Sequence, residues 1–111
     1  MFPIITKLSG VTFKDAQENI NKFGGPGVCD YDLVREPDNP HDPDAIKVLL
    51  FSHFFLGYVP KHIAKFLAPL MDEGRNFAAE FHGLNKSAMH KTVGLTVRIF
   101  EVDHQHEQEV H

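Results

Sequence analysis

Apolar residues recur at every second position in four separate stretches of this chain, and that spacing constrains its architecture more than any other feature. Tyr31 and Leu33, then Ile46, Val48 and Leu50, then Phe77, Ala79 and Phe81, then Val93, Leu95, Val97 and Ile99 each place one hydrophobic edge against polar neighbours. A period of two puts those side chains on one face of a pleated strand. With Ile4 to Val11 and Phe54 to Val59 the count of expected strands reaches six. Cys29 continues the first of the four patterns and is expected on the buried face of its strand, as an inert hydrophobe.

Two segments depart from this period. Asp15 followed three positions later by Glu18 has the form of a capping box, and Ala16, Ile20 and Phe23 form a short helical stripe ended by Gly24-Gly25-Pro26-Gly27. Pro60 can occupy the first turn of a second helix carrying Ile63, Phe66, Leu67, Leu70 and Met71 on one side. Pro69 is expected to bend or break that helix. The last two strands are expected to be joined across Gly83 to Lys91. The order β-α-β-β-β-α-β-β lacks the regular helix alternation of a parallel doubly wound sheet. It predicts a mainly β (α+β) domain, a small closed or nearly closed barrel with two flanking helices.

At 111 residues one core is expected. Residues 1–102 read as a single domain and 103–111 as a flexible, polar, His-rich tail. The start of the chain has neither the basic region nor the apolar run of a signal peptide, and no stretch is long enough to span a membrane. A single cysteine, Cys29, excludes an internal disulfide and fits a reducing cytoplasm. The formal charge of −4 argues against a generally basic surface for duplex DNA. Four of the fifteen acids and none of the eleven bases lie in residues 101–111, so residues 1–100 balance eleven against eleven. Such a domain can hold a few phosphates in a pocket without coating a long duplex.

The densest polar stretch is Arg35-Glu36-Pro37-Asp38-Asn39-Pro40-His41-Asp42-Pro43-Asp44-Ala45-Ile46. Its prolines and self-bonding Asp and Asn side chains suit a rigid turn, and the same groups suit recognition of a hydroxyl or a base edge. The prolines break the ligand order of a calcium loop, so no metal is expected there. Leu56-Gly57-Tyr58-Val59-Pro60-Lys61-His62 runs from a strand into a helix start. There backbone N–H groups and Lys61 could attract a phosphate, or Lys61 and His62 could be plain solvated residues. Phe51, Phe54, Phe55, Phe66, Phe77, Phe81 and Phe100 are expected in the core, and His104, His106 and His111 in the tail. No nucleophile motif, phosphate-cradling glycine loop or paired-carboxylate signature is present, which argues against an enzyme with its own cofactor.

These two segments, with Gly10-Val11-Thr12-Phe13 and Gln17, resemble the HIRAN domain, and the resemblance runs from about Ile4 to Val102. It implies a modified OB-like β-barrel that occurs alone or at the N-terminus of Swi/Snf-class helicases, and a non-enzymatic module that binds single-stranded DNA at a free 3′-hydroxyl in DNA repair or replication-fork processing. Carried over by position, Asn39 and Asp42 would contact the terminal sugar or base. Phe13 and His41 would stack on bases, and Tyr58 and Lys61 would face phosphates. Thr12, Lys14 and Asp38 stand where DNA-binding members have an arginine, an aromatic and an asparagine, and Lys14 and Asp38 remain candidate DNA contacts. Helicase or nuclease proteins are the partners implied. The near-neutral charge and the missing arginine suit a second reading, an adaptor that keeps the core without tight DNA binding. A metal-dependent nuclease using Asp38, Asp42 and His41 is a third.

Overall fold

The computed structural model describes residues 2–27 and 29–102. The elements are β1 (Ile4–Lys7), α1 (Ala16–Phe23), β2 (Tyr31–Arg35), β3 (Ile46–Leu50), β4 (Phe54–Tyr58), α2 (Lys61–Asp72), β5 (Phe77–Ser87) and β6 (His90–Glu101). All strand pairs are antiparallel, in the order β1-β6-β5-β2-β3-β4. The expected six strands and two helices are present in the expected sequence, and the sheet curls into an OB-like half-barrel.

The two edges of the curled sheet meet at one point. Beyond β1 the chain places Ser9 opposite Tyr58 of β4, and the pair exchanges both backbone hydrogen bonds, each 2.8 Å. Gly57 makes this approach possible. Its φ of +153° lies where side-chain-bearing residues are rarely found, and a Cβ there would sit 2.8 Å from the Ser9 carbonyl oxygen and 3.2 Å from Leu8 Cβ. A bulge bends the same strand: Val48 pairs with Gly57 and Leu49 with Phe55, leaving Leu56 as the extra residue. Three successive residues of β4, Phe55 to Gly57, are therefore buried instead of alternating.

Inside the curl lies one apolar core. Tyr31, Ile46, Val48, Leu50, Leu95, Val97 and Ile99 come from the inner faces of the strands, Ile20 from α1, and Ala64, Leu67 and Ala68 from α2. The stripe on each helix is thus spent on the barrel. Gln17 fastens α1 by side-chain bonds to three backbone groups: it donates to the carbonyls of Val11 (2.8 Å) and Val93 (2.9 Å) and accepts the Val93 N–H (2.9 Å). No helix among the described residues is long and apolar enough to cross a membrane.

Several local expectations are corrected. β1 stops at Lys7 because Gly10, at φ +62°, turns the chain after Ser9. α1 starts at Ala16 without a side-chain cap from Asp15, and Glu18 instead pairs with Lys22 at 3.2 Å. Cys29 lies outside β2 and is exposed, so the alternation begins two residues later than the sequence suggests. Pro69 does not break α2: it stands in the last turn, where the helix has only three residues left to run. The last two strands extend through most of the expected Gly83–Lys91 connection, pairing as far as Ser87 with His90. Phe55 and Phe77 are in the core as expected, but Phe51 and Phe66 are exposed. Phe51 is held outward by the β3–β4 turn, in which Phe51 and Ser52 both have positive φ and Asp32 accepts the Ser52 N–H at 2.8 Å. The expected tail, with His104, His106 and His111, lies outside the described residues.

Closure at Gly57 gives a direct test. Gly57→Ala forces a methyl group against the Ser9 carbonyl in an unfavourable backbone region, and should cost at least about 2 kcal/mol in denaturant unfolding. Gly83→Ala, where nothing lies within contact distance of the added carbon, should cost much less.

Candidate functional site

The polar stretch after β2 is a turn in which three backbone hydrogen bonds, from the N–H groups of Glu36, Asn39 and Ala45 to the carbonyls of Ala45, Glu36 and Asp42, are joined by a set of side-chain ones. The Asn39 carboxamide oxygen accepts the N–H groups of His41 (2.8 Å) and Asp42 (3.1 Å), and its nitrogen donates to Glu36 Oε1 (2.7 Å). Asp42 Oδ1 accepts the Asp44 N–H at 2.9 Å. Arg35 clamps the base of the turn: its Nη1 donates to the carbonyls of Pro43 (3.0 Å) and Ala45 (3.1 Å), while Nε and Nη2 reach the two oxygens of Asp72 at the end of α2. The hydrogen bond and charge of Arg35 hold the Asp72 carboxyl below its ordinary range. The rigid-turn reading of this stretch therefore holds in detail.

Against this turn lies a cleft of about 620 Å³. Six sequence-predicted residues line it: Phe13, Asn39, His41, Asp42, Tyr58 and Lys61. Phe13 is 56% exposed, with its ring edge-on to Tyr58 at 6.5 Å between centroids. Gly10 lets the two rings meet, because a Cβ at that position would come within 3.0 Å of Tyr58 and 3.1 Å of Phe13. Lys61 is the first residue of α2, where backbone N–H groups add to its positive charge. The carbonyl of Pro60 takes the N–H groups of Ile63 and Ala64. One oxygen of Asp42 has no hydrogen-bond partner among the described residues. Ring, carboxylate and ammonium thus open onto one surface.

Two of the six stand there in a different capacity from the one expected. Asn39 spends its carboxamide on the turn, so it shapes the cleft through His41 and Asp42. Tyr58 donates its hydroxyl proton to Glu36 Oε1 at 2.9 Å, which leaves it lone pairs to offer a ligand. Burial pushes the Glu36 carboxyl up, but hydrogen bonds from Asn39 and Tyr58 and the charges of Lys14 and Lys47 outweigh burial and leave it below the ordinary range. Burial and the same Glu36 bond raise the Tyr58 phenol.

The remaining two candidates lie elsewhere. Lys14 turns away in a left-handed conformation (φ 49°) and sets Nζ 5.1 Å from the centre of the Phe55 ring, in a second cleft. Asp38 is exposed in the turn and does not line the first cleft. Sequence reasoning missed Ser9, Gly10, Ala45 and Val59 as lining residues and the supporting roles of Arg35 and Glu36. The buried alternation of Ala45 and Val59 with their neighbours carried no sign of a cleft, whereas a charged pair directly ahead of a Pro-rich turn was a usable signal. Among the described residues, no three His, Cys, Asp or Glu side chains gather as a metal would need.

In overall shape the chain is similar to a crystal structure of a protein from Lactobacillus plantarum, with a TM-score of 0.67, 23% identity, and coverage of 87% of this chain and 93% of that one. It is also similar to the crystal structure of the HIRAN domain of human HLTF, with a TM-score of 0.59, 20% identity, and coverage of 97% and 82%. In sequence it is 47% identical over 58 residues to a Fanconi-associated nuclease 1 homolog of Oryza sativa subsp. japonica, which is 50% of this chain and 6% of that protein. The corresponding protein of Arabidopsis thaliana is 40% identical over 70 residues, 63% of this chain and 7% of that one. The chain therefore spans less than a tenth of the length of these relatives. The HIRAN domain profile matches residues 25–99, which includes the turn, β4 and the start of α2. With more than half of its length inside that match, the chain belongs to the HIRAN domain family.

Proposed function

We propose that this domain is a non-enzymatic module that docks the end of a single DNA strand carrying a free 3′-hydroxyl. The observation that carries the reading is the convergence of Phe13, Asp42 and Lys61 on one cleft. Phe13, edge-on to Tyr58 and open to solvent, offers a face on which a terminal base can stack, and His41 offers a second ring from the turn. The free oxygen of Asp42 accepts a hydrogen bond from the hydroxyl. Lys61 and the start of α2 meet the adjoining phosphate. A cleft of this size takes a ligand of drug-like dimensions, which suits the terminal nucleotides of a strand.

Membership of the HIRAN family supports the nucleic-acid assignment, and the named nuclease relatives support a setting in DNA repair, with a helicase or nuclease as working partner. The near balance of charge along residues 1–100 fits an end-binding site, since end recognition needs few phosphate contacts.

Fluorescence anisotropy with oligonucleotides labelled at the 5′ end tests the assignment. A 3′-hydroxyl strand should bind and a 3′-phosphate strand should be rejected, because the phosphate would lie against the Asp42 carboxylate. Asp42→Asn should erase most of that discrimination. Phe13→Ala should cost about 1–3 kcal/mol of binding, the usual worth of one stacked base. Absence of binding to any strand at low salt would overturn the proposal in favour of an adaptor role.

Acid should dismantle the same cleft through Glu36. A carboxyl held below its ordinary value of 4.5 contributes stability above that value and loses it as pH falls through the depressed one. Glu36→Gln should therefore narrow the loss of melting temperature between neutral pH and about pH 3. An acid transition identical in the wild type and the variant would show that Glu36 does not govern it.

A further inference from the structure

Beyond the Phe13–Lys14 turn lies a second cleft of about 540 Å³, formed by α1, β3, β4 and the β3–β4 turn. Three ammonium groups line it, from Lys14, Lys22 and Lys47, together with Ser52, His53 and the ring of Phe55. Two carboxylates also line it, Asp15 and Glu18. Glu18 is engaged with Lys22 in an exposed i,i+4 pair at 3.2 Å, a weak contact that a phosphate can displace. Lys47 is 3.8 Å from Glu36, and Lys14 forms no ion pair among the described residues.

The two clefts share a wall. Phe13 lines the first and the next residue, Lys14, lines the second. Tyr58 of the first cleft touches Phe55 of the second, with ring centroids 5.3 Å apart. A strand whose last nucleotides fill the first cleft is long enough to cross this aromatic wall, and the groups that await it on the far side are ammonium groups and an aromatic floor. Lys14 reaches that position only through a left-handed backbone that residues other than glycine adopt at a cost, a strained conformation of the kind found at binding sites.

We propose that this second cleft is a track for the sugar-phosphate backbone on the 5′ side of the docked end, with Lys14, Lys22 and Lys47 as its phosphate contacts. The inference rests on the end-binding reading for its direction, but its residues are separate from those of the first cleft. It offers a domain with a neutral balance of charge a way to hold more than a terminal nucleotide, since three of its eleven basic side chains line one cleft.

The test compares a dinucleotide with an octanucleotide, both ending in a 3′-hydroxyl, on the wild-type protein and on Lys14→Ala/Lys22→Ala/Lys47→Ala. The wild type should bind the longer strand more tightly. The triple variant should lose that advantage, its affinity for the dinucleotide falling far less than that for the octanucleotide although Lys14 and Lys47 also act on Glu36, and the slope of log affinity against log salt for the octanucleotide should fall by about 2, at roughly 0.7 per phosphate contact on a single strand. Lys14→Gly separates binding from folding: removing the side chain also relieves the backbone, so its melting temperature should be unchanged or higher while its affinity for the octanucleotide drops. Equal affinity of the wild type for both lengths, or a length advantage that survives in the triple variant, would overturn the track. Lysine-dependent octanucleotide binding that ignores the chemistry of the 3′ end would instead overturn the end-binding reading and leave the track standing.

Discussion

Everything functional in this domain depends on two backbones coming into direct contact where Ser9 meets Tyr58. That pair of hydrogen bonds draws the end of β1 across to β4, and only a residue without a side chain at position 57 allows it. Its consequence reaches past the barrel. The closure delivers Gly10 and Phe13 to the edge of Tyr58, and Tyr58 in turn carries its hydroxyl to Glu36 under the polar turn. The cleft is therefore assembled from segments distant in sequence by the same contact that closes the sheet.

The division of labour in the polar turn follows from simple hydrogen-bond accounting. A short irregular loop cannot pair all its backbone groups with one another, so side chains step in: Asn39 and Asp42 accept from its N–H groups and Arg35 donates to its carbonyls. Asn39, Arg35 and one oxygen of Asp42 are consumed in this way. What remains unspent is the second oxygen of Asp42 and the solvent-facing side of His41. Rigidity comes from the satisfied groups, while the unsatisfied ones stay open on the cleft, which is why neighbouring residues of similar chemistry stand in different positions.

Much of the fold was legible in the sequence because period-two alternation is a direct record of which face is buried. Val48 and Leu50, or Val97 and Ile99, could hardly be read otherwise. The alternation failed where geometry is set by turns and not by faces. Cys29 kept the period but lies outside the strand, and Phe51 looked like core until the left-handed turn held it outward. The cleft was partly legible, through the chemistry of Phe13, Asp42 and Lys61. The direction of a hydroxyl proton at Tyr58, the commitment of Asn39 and the departure of Lys14 to another surface depend on contacts across the barrel, which no local pattern encodes.

One end of α2 lines the cleft and the other holds the base of its polar turn. Its first residue supplies Lys61, and its last, Asp72, grips Arg35 at the base of the turn. Twelve residues of helix, about 18 Å at the usual rise, thus act as a strut between Lys61 in the cleft and the base of the turn. Such coupling links helix and turn: fraying of the final turn of α2 frees Arg35 from Asp72 and loosens its hold on the carbonyls of Pro43 and Ala45. A partner that grips the exposed far end of this helix would consequently be felt in the turn without touching it.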